Sequence, residues 1–254
     1  PQDRCFSSRG THTGSTSRNA GCCVGKAAPG RSCNSRLRIP LSAVFQSSCL
    51  VEQNLNIVFD LGGVVFQWQP EAIIKSVFED SDTQDLVRKG VFEHADWVEL
   101  DRGTIALEQA IDRGAARTGL PCKDIERLLN AVPHFLTPIE ATIELIRDLS
   151  DTRNSLFVLS NMHLASIEYL EKHHNFWDAF DGVVISSRIQ MVKPEPQIYE
   201  YLLKSYQLEA AETIFIDDMP ENLLAASSKG IKTIRFVDTA QCARDLEIRV
   251  GATN

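Results

Sequence analysis

Four short polar clusters hold the side chains best suited to chemistry. Asp60-Leu61-Gly62-Gly63 follows the apolar run 55–59, and Ser160-Asn161 follows the run 156–159. Lys193 lies in Met191-Val192-Lys193-Pro194-Glu195-Pro196, and Asp217-Asp218 follows the run 213–216. Asp60, Asp217 and Asp218, if brought together, repel one another unless a cation sits between them. A carboxylate-rich site of this kind suits Mg²⁺, a hard cation that takes carboxylate, water and phosphate oxygens. Ser160 can donate a hydrogen bond to a phosphate oxygen beside the backbone N–H groups of a following helix start. Lys193 can neutralise both a phosphate and the crowded carboxylates.

Taken singly, each cluster has a plainer reading. Asp60, Asp217 and Ser160 are ordinary helix caps, and Lys193 is a solvated surface lysine. His173-His174 reads as a surface pair, and Trp68, Trp97 and Trp177 read as packing residues. Trp68 stands at the entrance to the next segment and can serve both roles.

The chemistry therefore depends on the elements that place these clusters. Short β-branched or apolar runs at 55–59, 156–159, 183–185, 213–216 and 233–237 read as buried strands. Between them lie helix-period segments at 139–149, 198–208 and 222–229, the last stopped by Gly230. Such alternation implies an α/β fold, a Rossmann-like parallel sheet covered on both faces. Open parallel sheets bind ligands beyond the carboxyl ends of their strands, where the first, second and fourth clusters fall. Residues 71–132 break the alternation. They carry helical patterns at 71–78, 82–91, 104–118 and 123–131, with Pro133 and Pro138 punctuating the exit. The expected organisation is a core of residues 54–67 and 137–254 with a helical cap at 68–136.

Asp60-Leu61-Gly62-Gly63-Val64, then Leu159-Ser160-Asn161, then Lys193-Pro194-Glu195-Pro196, then Phe215-Ile216-Asp217-Asp218 with Asn222, resembles the four ordered motifs of haloacid-dehalogenase-like hydrolases. The likeness runs from about residue 54 to 237. Each motif alone is weak, and the ordered set is specific. The wording of the first two looks most like that of subfamily IA bacterial phosphatases near α-D-glucose-1-phosphate phosphatase, which carry a small helical cap. The resemblance implies a Mg²⁺-dependent phosphatase of a small phosphorylated metabolite, with a sugar phosphate favoured. Asp60 would be the nucleophile and form an aspartyl-phosphate, with Lys193 steadying it. Asp60, the Gly62 carbonyl, Asp217 and Asp218 would hold the metal, with Asp218 the more direct ligand of the pair. Ser160, Asn161, Gly63 and Trp68 would meet the substrate.

One departure bears on mechanism. Many phosphatases of this superfamily carry a second Asp two residues after the nucleophile, which protonates the leaving oxygen. Here that position is Gly62, and Gln67 and Gln69 stand where relatives often have Asp. The gap favours good leaving groups or another helper, with His94, Asp96, Glu99 and His163 as candidates. Two rivals stay open: a metal-free carbon–halogen hydrolase using the same aspartate, and a silent phosphate-binding protein that lost turnover.

Composition sets the outer bounds. The 254-residue chain has a formal net charge of −8, which argues against nucleic acid or anionic membrane as a partner. No apolar run approaches the ~18 residues of a membrane span. Residues 1–53 are rich in Ser, Arg and Gly, with Asp3 their only acid before Glu52. They read as a disordered tail, either a transit-like leader directing organelle import or non-native sequence. Five cysteines fall there: Cys5, Cys22, Cys23, Cys33 and Cys49. The body keeps Cys122 and Cys242, the pattern of a reduced, cytoplasmic protein. A monomer or homodimer is expected.

Overall fold

The computed structural model describes residues 54–251; the reading of residues 1–53 and of their five cysteines falls outside the described residues. Five strands, β1 (Asn56–Phe59), β2 (Ser155–Ser160), β3 (Gly182–Ile185), β4 (Thr213–Asp217) and β5 (Lys232–Arg235), form one sheet in the order β3-β2-β1-β4-β5. Every neighbouring pair is parallel. Side chains alternate between its two faces, so both must be covered. Ile57, Phe59, Leu156, Val158, Ile214 and Ile216 pack into one layer, with α6 (Glu140–Ser150), α7 (Leu164–His173) and α11 (Thr239–Gly251). Val58, Phe157, Leu159 and Phe215 pack into the other, with the short α8 (Ser186–Ile189), α9 (Pro196–Tyr206) and α10 (Pro220–Ser228). The α/β architecture expected from the alternating runs is the one observed.

The strand order has a direct consequence for the site. Central β1 pairs with β2 on one side and β4 on the other, with Phe59 opposite both Val158 and Ile216. Asp60 thus emerges between the ends of two neighbours that come from distant parts of the sequence. Chain direction away from β1 reverses here, which opens a crevice between adjacent strand ends.

Between β1 and α6 lie α1 (Pro70–Val77), α2 (Ser81–Val87), α3 (Ala95–Arg102), α4 (Leu107–Thr118) and α5 (Cys122–Phe135). They share a hydrophobic core of their own, including Ile73, Ile74, Val87, Leu100, Ile125 and Leu128. A wider π turn, Arg88–Phe92, follows α2. Three details differ from expectation. The pattern at 104–118 becomes helical only at Leu107, because the Gln109 side chain reaches back 2.9 Å to the Ala106 N–H and caps the start there. Helix α5 runs on through Pro133, which is buried in its last turn, where loss of a single ladder bond is tolerated.

Helix α3 was not anticipated at all. Its polar residues hide the apolar period, and only Leu100 is fully buried. Two signals for it do exist: His94 Nδ1 accepts from the Asp96 N–H at the start, and Gly103 takes a left-handed φ of 78° at the end. No helix among the described residues is long and apolar enough to cross a membrane.

Candidate active site

Asp60 continues the β1 ladder, its N–H donating to the Ile216 carbonyl at 2.9 Å. Its carboxylate lies against Lys193, whose Nζ is 2.9 Å from Asp60 Oδ1 and 2.7 Å from Asp217 Oδ2. All three side chains are nearly closed to solvent, at 7%, 3% and 0% exposure for Asp60, Lys193 and Asp217. Asp60, Asp217 and Asp218 each offer a carboxylate oxygen within 4.8 Å of the others. The two ends of the sequence pattern therefore meet, as the sheet order requires.

The charges in this cluster shape one another. Burial pushes the Asp60 carboxyl up to about 7 against the pull of Lys193, and the Asp217 charge adds to the rise. Burial by itself would lower Lys193, but the two carboxylates outweigh it and hold the ammonium charged. Asp218 is raised as well, by burial first and by Asp217 second. An excess of carboxylate over cation is left in a largely buried site. The donor set is all oxygen, which fits a hard divalent ion.

The three acids do not offer their oxygens equally. Asp217 accepts from Lys193 Nζ, from the Met219 N–H at 2.8 Å, and from Asn222 Nδ2 at 3.0 and 3.1 Å. Those contacts occupy all of its in-plane acceptor positions. Asp218 and Asp60 keep oxygens that face the adjoining cleft.

Gly63 belongs to the site by what it lacks. Its φ is +78°, and a Cβ there would lie 2.6 Å from Asp218 Oδ2. Gly63→Ala is expected to cost about 1–2 kcal/mol for the left-handed backbone, and to displace Asp218. Thermal melts and a Mg²⁺ titration check this; unchanged metal affinity would show that Gly63 does not set the Asp218 position.

The remaining sequence candidates separate once placed. The Ser160 hydroxyl is buried beside the Asp60 carboxylate, whose pKa it helps to lower without forming a well-aligned hydrogen bond, and it does not line the cleft. Asn161 lines the cleft, but its amide is spent: Nδ2 donates to the Lys193 carbonyl and Oδ1 accepts from the Lys193 N–H, both at 2.8 Å. Its side-chain amide bonds the lysine loop on both sides, so any contact with substrate is left to the rest of the residue. Gly63 does not line the cleft, and Trp68 does.

The cleft holds about 240 Å³ beside Asp60, Gly62, Lys193 and Asp218. Apolar and aromatic residues also line it: Trp68, Trp97, Val132, Leu136 and Met162. Trp97 stacks on Trp68 with centroids 5.7 Å apart and meets His163 edge-on at 5.7 Å. His163 caps α7, its ring contacting Ser166, and burial lowers it to about 4. It is neutral at neutral pH and is a poor proton donor. His94, Asp96 and Glu99 lie elsewhere. Asp96 is held between Arg113 and Arg117, and Glu99 between Arg102 and Thr104. None of the three lines the cleft, so they are set aside as acids. Sequence reasoning missed Asp101, which does line it.

Comparison with known proteins agrees with this arrangement. The model of the haloacid dehalogenase-like hydrolase family matches residues 105–236. The sesquiterpene phosphatase astK of Aspergillus oryzae is 29% identical over 194 residues, covering 76% of this chain and 95% of that protein. The D-ribitol-5-phosphate phosphatase of Bacteroides thetaiotaomicron is 23% identical over 206 residues, covering 76% and 97%. A HAD family enzyme of the same bacterium, bt-2542, solved with magnesium and inorganic phosphate, shares the fold with a TM-score of 0.55 at 22% identity, covering 72% and 94%. The parallel sheet, the converging acids and the family match lead to one conclusion: this chain belongs to the haloacid dehalogenase-like hydrolases.

Proposed function

We propose that the chain is a Mg²⁺-dependent phosphatase that hydrolyses a small phosphorylated metabolite through an aspartyl-phosphate on Asp60. The observation that carries this reading is the cluster of buried Asp60 and Asp217 with half-buried Asp218 around Lys193, opening onto a cleft lined by Asp60, Lys193 and Asp218. A carbon–halogen hydrolase needs no such paired acids. Phosphatases among the relatives, with sesquiterpene and ribitol phosphate names, support the same reading.

In this scheme Asp60 attacks phosphorus, and Lys193 holds its carboxylate in place and charged. Ser160 donates to a phosphate oxygen, while Asn161 and Asp217 fix the lysine from two sides. Asp60, Asp218 and the Gly62 carbonyl would hold Mg²⁺, with Asp217 behind them. The ion supplies charge neutralisation for the phosphate and lets Asp60 stay ionised among its neighbours. Catalysis here is mainly positioning and charge stabilisation. Helices α1 to α5, within residues 68–136, act as the cap over a core of 54–67 and 137–254. The Arg102 guanidinium binds Glu195 through two bonds, at 2.7 and 2.8 Å, and ties α3 to the lysine loop.

The apolar wall bears on substrate class. Val132 and Leu136 offer no partners for a polyol, and Trp68 and Trp97 offer only one indole N–H each, so an ester with an apolar body fits this wall better than a sugar. A phosphate-release panel of alkyl, terpenyl, sugar and acyl phosphates, with and without EDTA, tests both levels of the reading. We expect turnover only with Mg²⁺, falling at least 100-fold on chelation and returning when the ion is restored. Metal-independent chloride release from a 2-haloacid would replace the reading, and phosphate binding without release would indicate a silent protein.

A further inference from the structure

Gly62 leaves the reaction without an acid for the leaving oxygen, and the cleft contains a substitute. Attack by Asp60 in line with the breaking bond places the leaving oxygen on the far side of phosphorus, within the cleft that Trp97 and Asp101 of α3 help to line. Among the described residues, three carboxyl side chains line the cleft: Asp60, Asp218 and Asp101. The first two are taken up by attack and by metal. Lys193 is held by two carboxylates, and the His163 ring is neutral and turned to Ser166.

We infer that Asp101, carried into the cleft on α3, is the catalytic acid that protonates the leaving oxygen and afterwards takes the proton of the attacking water. The assignment rests on the phosphatase reading above and adds a residue to it.

The surroundings of Asp101 suit the role. Its carbonyl accepts from Ser186 Oγ, its carboxylate accepts from the His163 N–H, and the next residue is clamped to Glu195. Three anchors from three core segments therefore fix where α3 presents the carboxyl. Burial raises Asp101 to about 7, with the Asp60 charge adding to the rise against the pull of the His163 N–H and Lys193. The charged or titratable groups facing it are Asp60, Asp218, Lys193 and His163. A carboxyl in such a place holds a proton for a large part of the time near neutral pH, as an acid must.

The steps balance. Asp60 forms a bond to phosphorus as the P–O bond to the leaving group breaks, and the Asp101 proton passes to that oxygen to give the free alcohol. Water then attacks phosphorus and gives one proton to Asp101. The P–O bond to Asp60 breaks, and both carboxyls return to their starting states with phosphate released.

Asp101→Asn keeps an acceptor for the His163 N–H and removes the proton. We compare kcat/KM, which reports the steps up to alcohol release, on hexyl phosphate and on 4-nitrophenyl phosphate in Mg²⁺. A nitrophenolate leaves without protonation and an alkoxide does not. The expected result is a fall of about 10²–10⁴-fold on the hexyl ester, and a much smaller fall on the nitrophenyl ester. The nitrophenyl reaction should begin with a burst of about one nitrophenolate per enzyme, because the water step lacks its base. An equal fall on both esters, with an unchanged melting temperature, would mean a positioning role and overturn the assignment, as would full activity on the hexyl ester. If the wild-type chain releases phosphate from neither ester, the phosphatase reading itself fails, and this assignment fails with it.

Discussion

Asp60→Asn is expected to abolish phosphate release, by at least 10⁴-fold on the scale of removing a covalent nucleophile, while leaving the melting temperature unchanged or raised. The loss follows from chemistry, since an amide oxygen cannot displace an alkoxide from phosphorus. The stability half follows from the environment. Burial works against the charge on Asp60, whose carboxyl is already raised to about 7, so a neutral side chain of the same shape removes an unfavourable buried charge. The Leu61 N–H, which donates 2.7 Å to Asp60 Oδ1, keeps an acceptor in the variant, and Lys193 keeps Asp217. Phosphate assays and thermal melts on the same sample separate the two halves. Retained turnover would mean that the nucleophile is another residue.

Lys193→Met carries the other large effect, and its sign on stability is opposite. Lys193 is 3% exposed and bridges two buried carboxylates, and its removal leaves them facing each other without a fixed positive charge. Breaking a buried pair by deleting one partner costs about 3–5 kcal/mol. For a domain of this size that lowers the melting temperature by about 6–20 °C. Activity should fall at least 10³-fold, because Asp60 loses the group that orients it. Mg²⁺ should stabilise the variant more than it stabilises the wild type, since it would then be the main source of positive charge in the cluster. Melts with and without Mg²⁺ check this. A variant as stable as wild type without the ion would show that the bridge contributes nothing to the fold.

The contrast between these variants reflects how the cluster is built. Three acids and one lysine are an unbalanced set in a largely buried site, an imbalance of the kind that folds tolerate at functional sites. Asp217 is the structural member: its oxygens are taken by Lys193, Asn222 and the Met219 N–H. Asp218, less enclosed and pressed against Gly63, is the member free to act on a ligand. Two adjacent and chemically identical residues differ only because one points into the sheet end and the other toward the cleft.

Much of this was legible in the chain. The runs at 55–59, 156–159 and 213–216 are β-branched and apolar because a parallel sheet buries both faces, so the strands and the α/β class could be read from residue type. The polar residues that end these runs stand out for the same reason, since an Asp or Ser at the mouth of a buried strand has few other uses. Their spacing in sequence carries no distance, however. Asp60 and Asp217 meet because the strand order sets β1 beside β4, and that order depends on how the helices pack.

Other features depended wholly on packing. Helix α3 has too weak an apolar period to announce itself, and its existence rests on Leu100, its caps and the anchors to Ser186 and Glu195. Asp101 therefore looked like one more acid in a polar stretch, while His94, Asp96 and Glu99 nearby looked equally suitable. Direction separates them, since Asp101 alone of the four lines the cleft, and direction is not a property of residue type. Asn161 is placed at the phosphate by its motif, and only the fold shows that its side-chain amide bonds the Lys193 backbone. Residue types and periodicity settled which groups were available and which strands bore them, because both are local. Which of those groups kept a free lone pair or a buried proton was settled by long-range contacts, because solvation and charge coupling depend on every neighbour brought within a few ångströms.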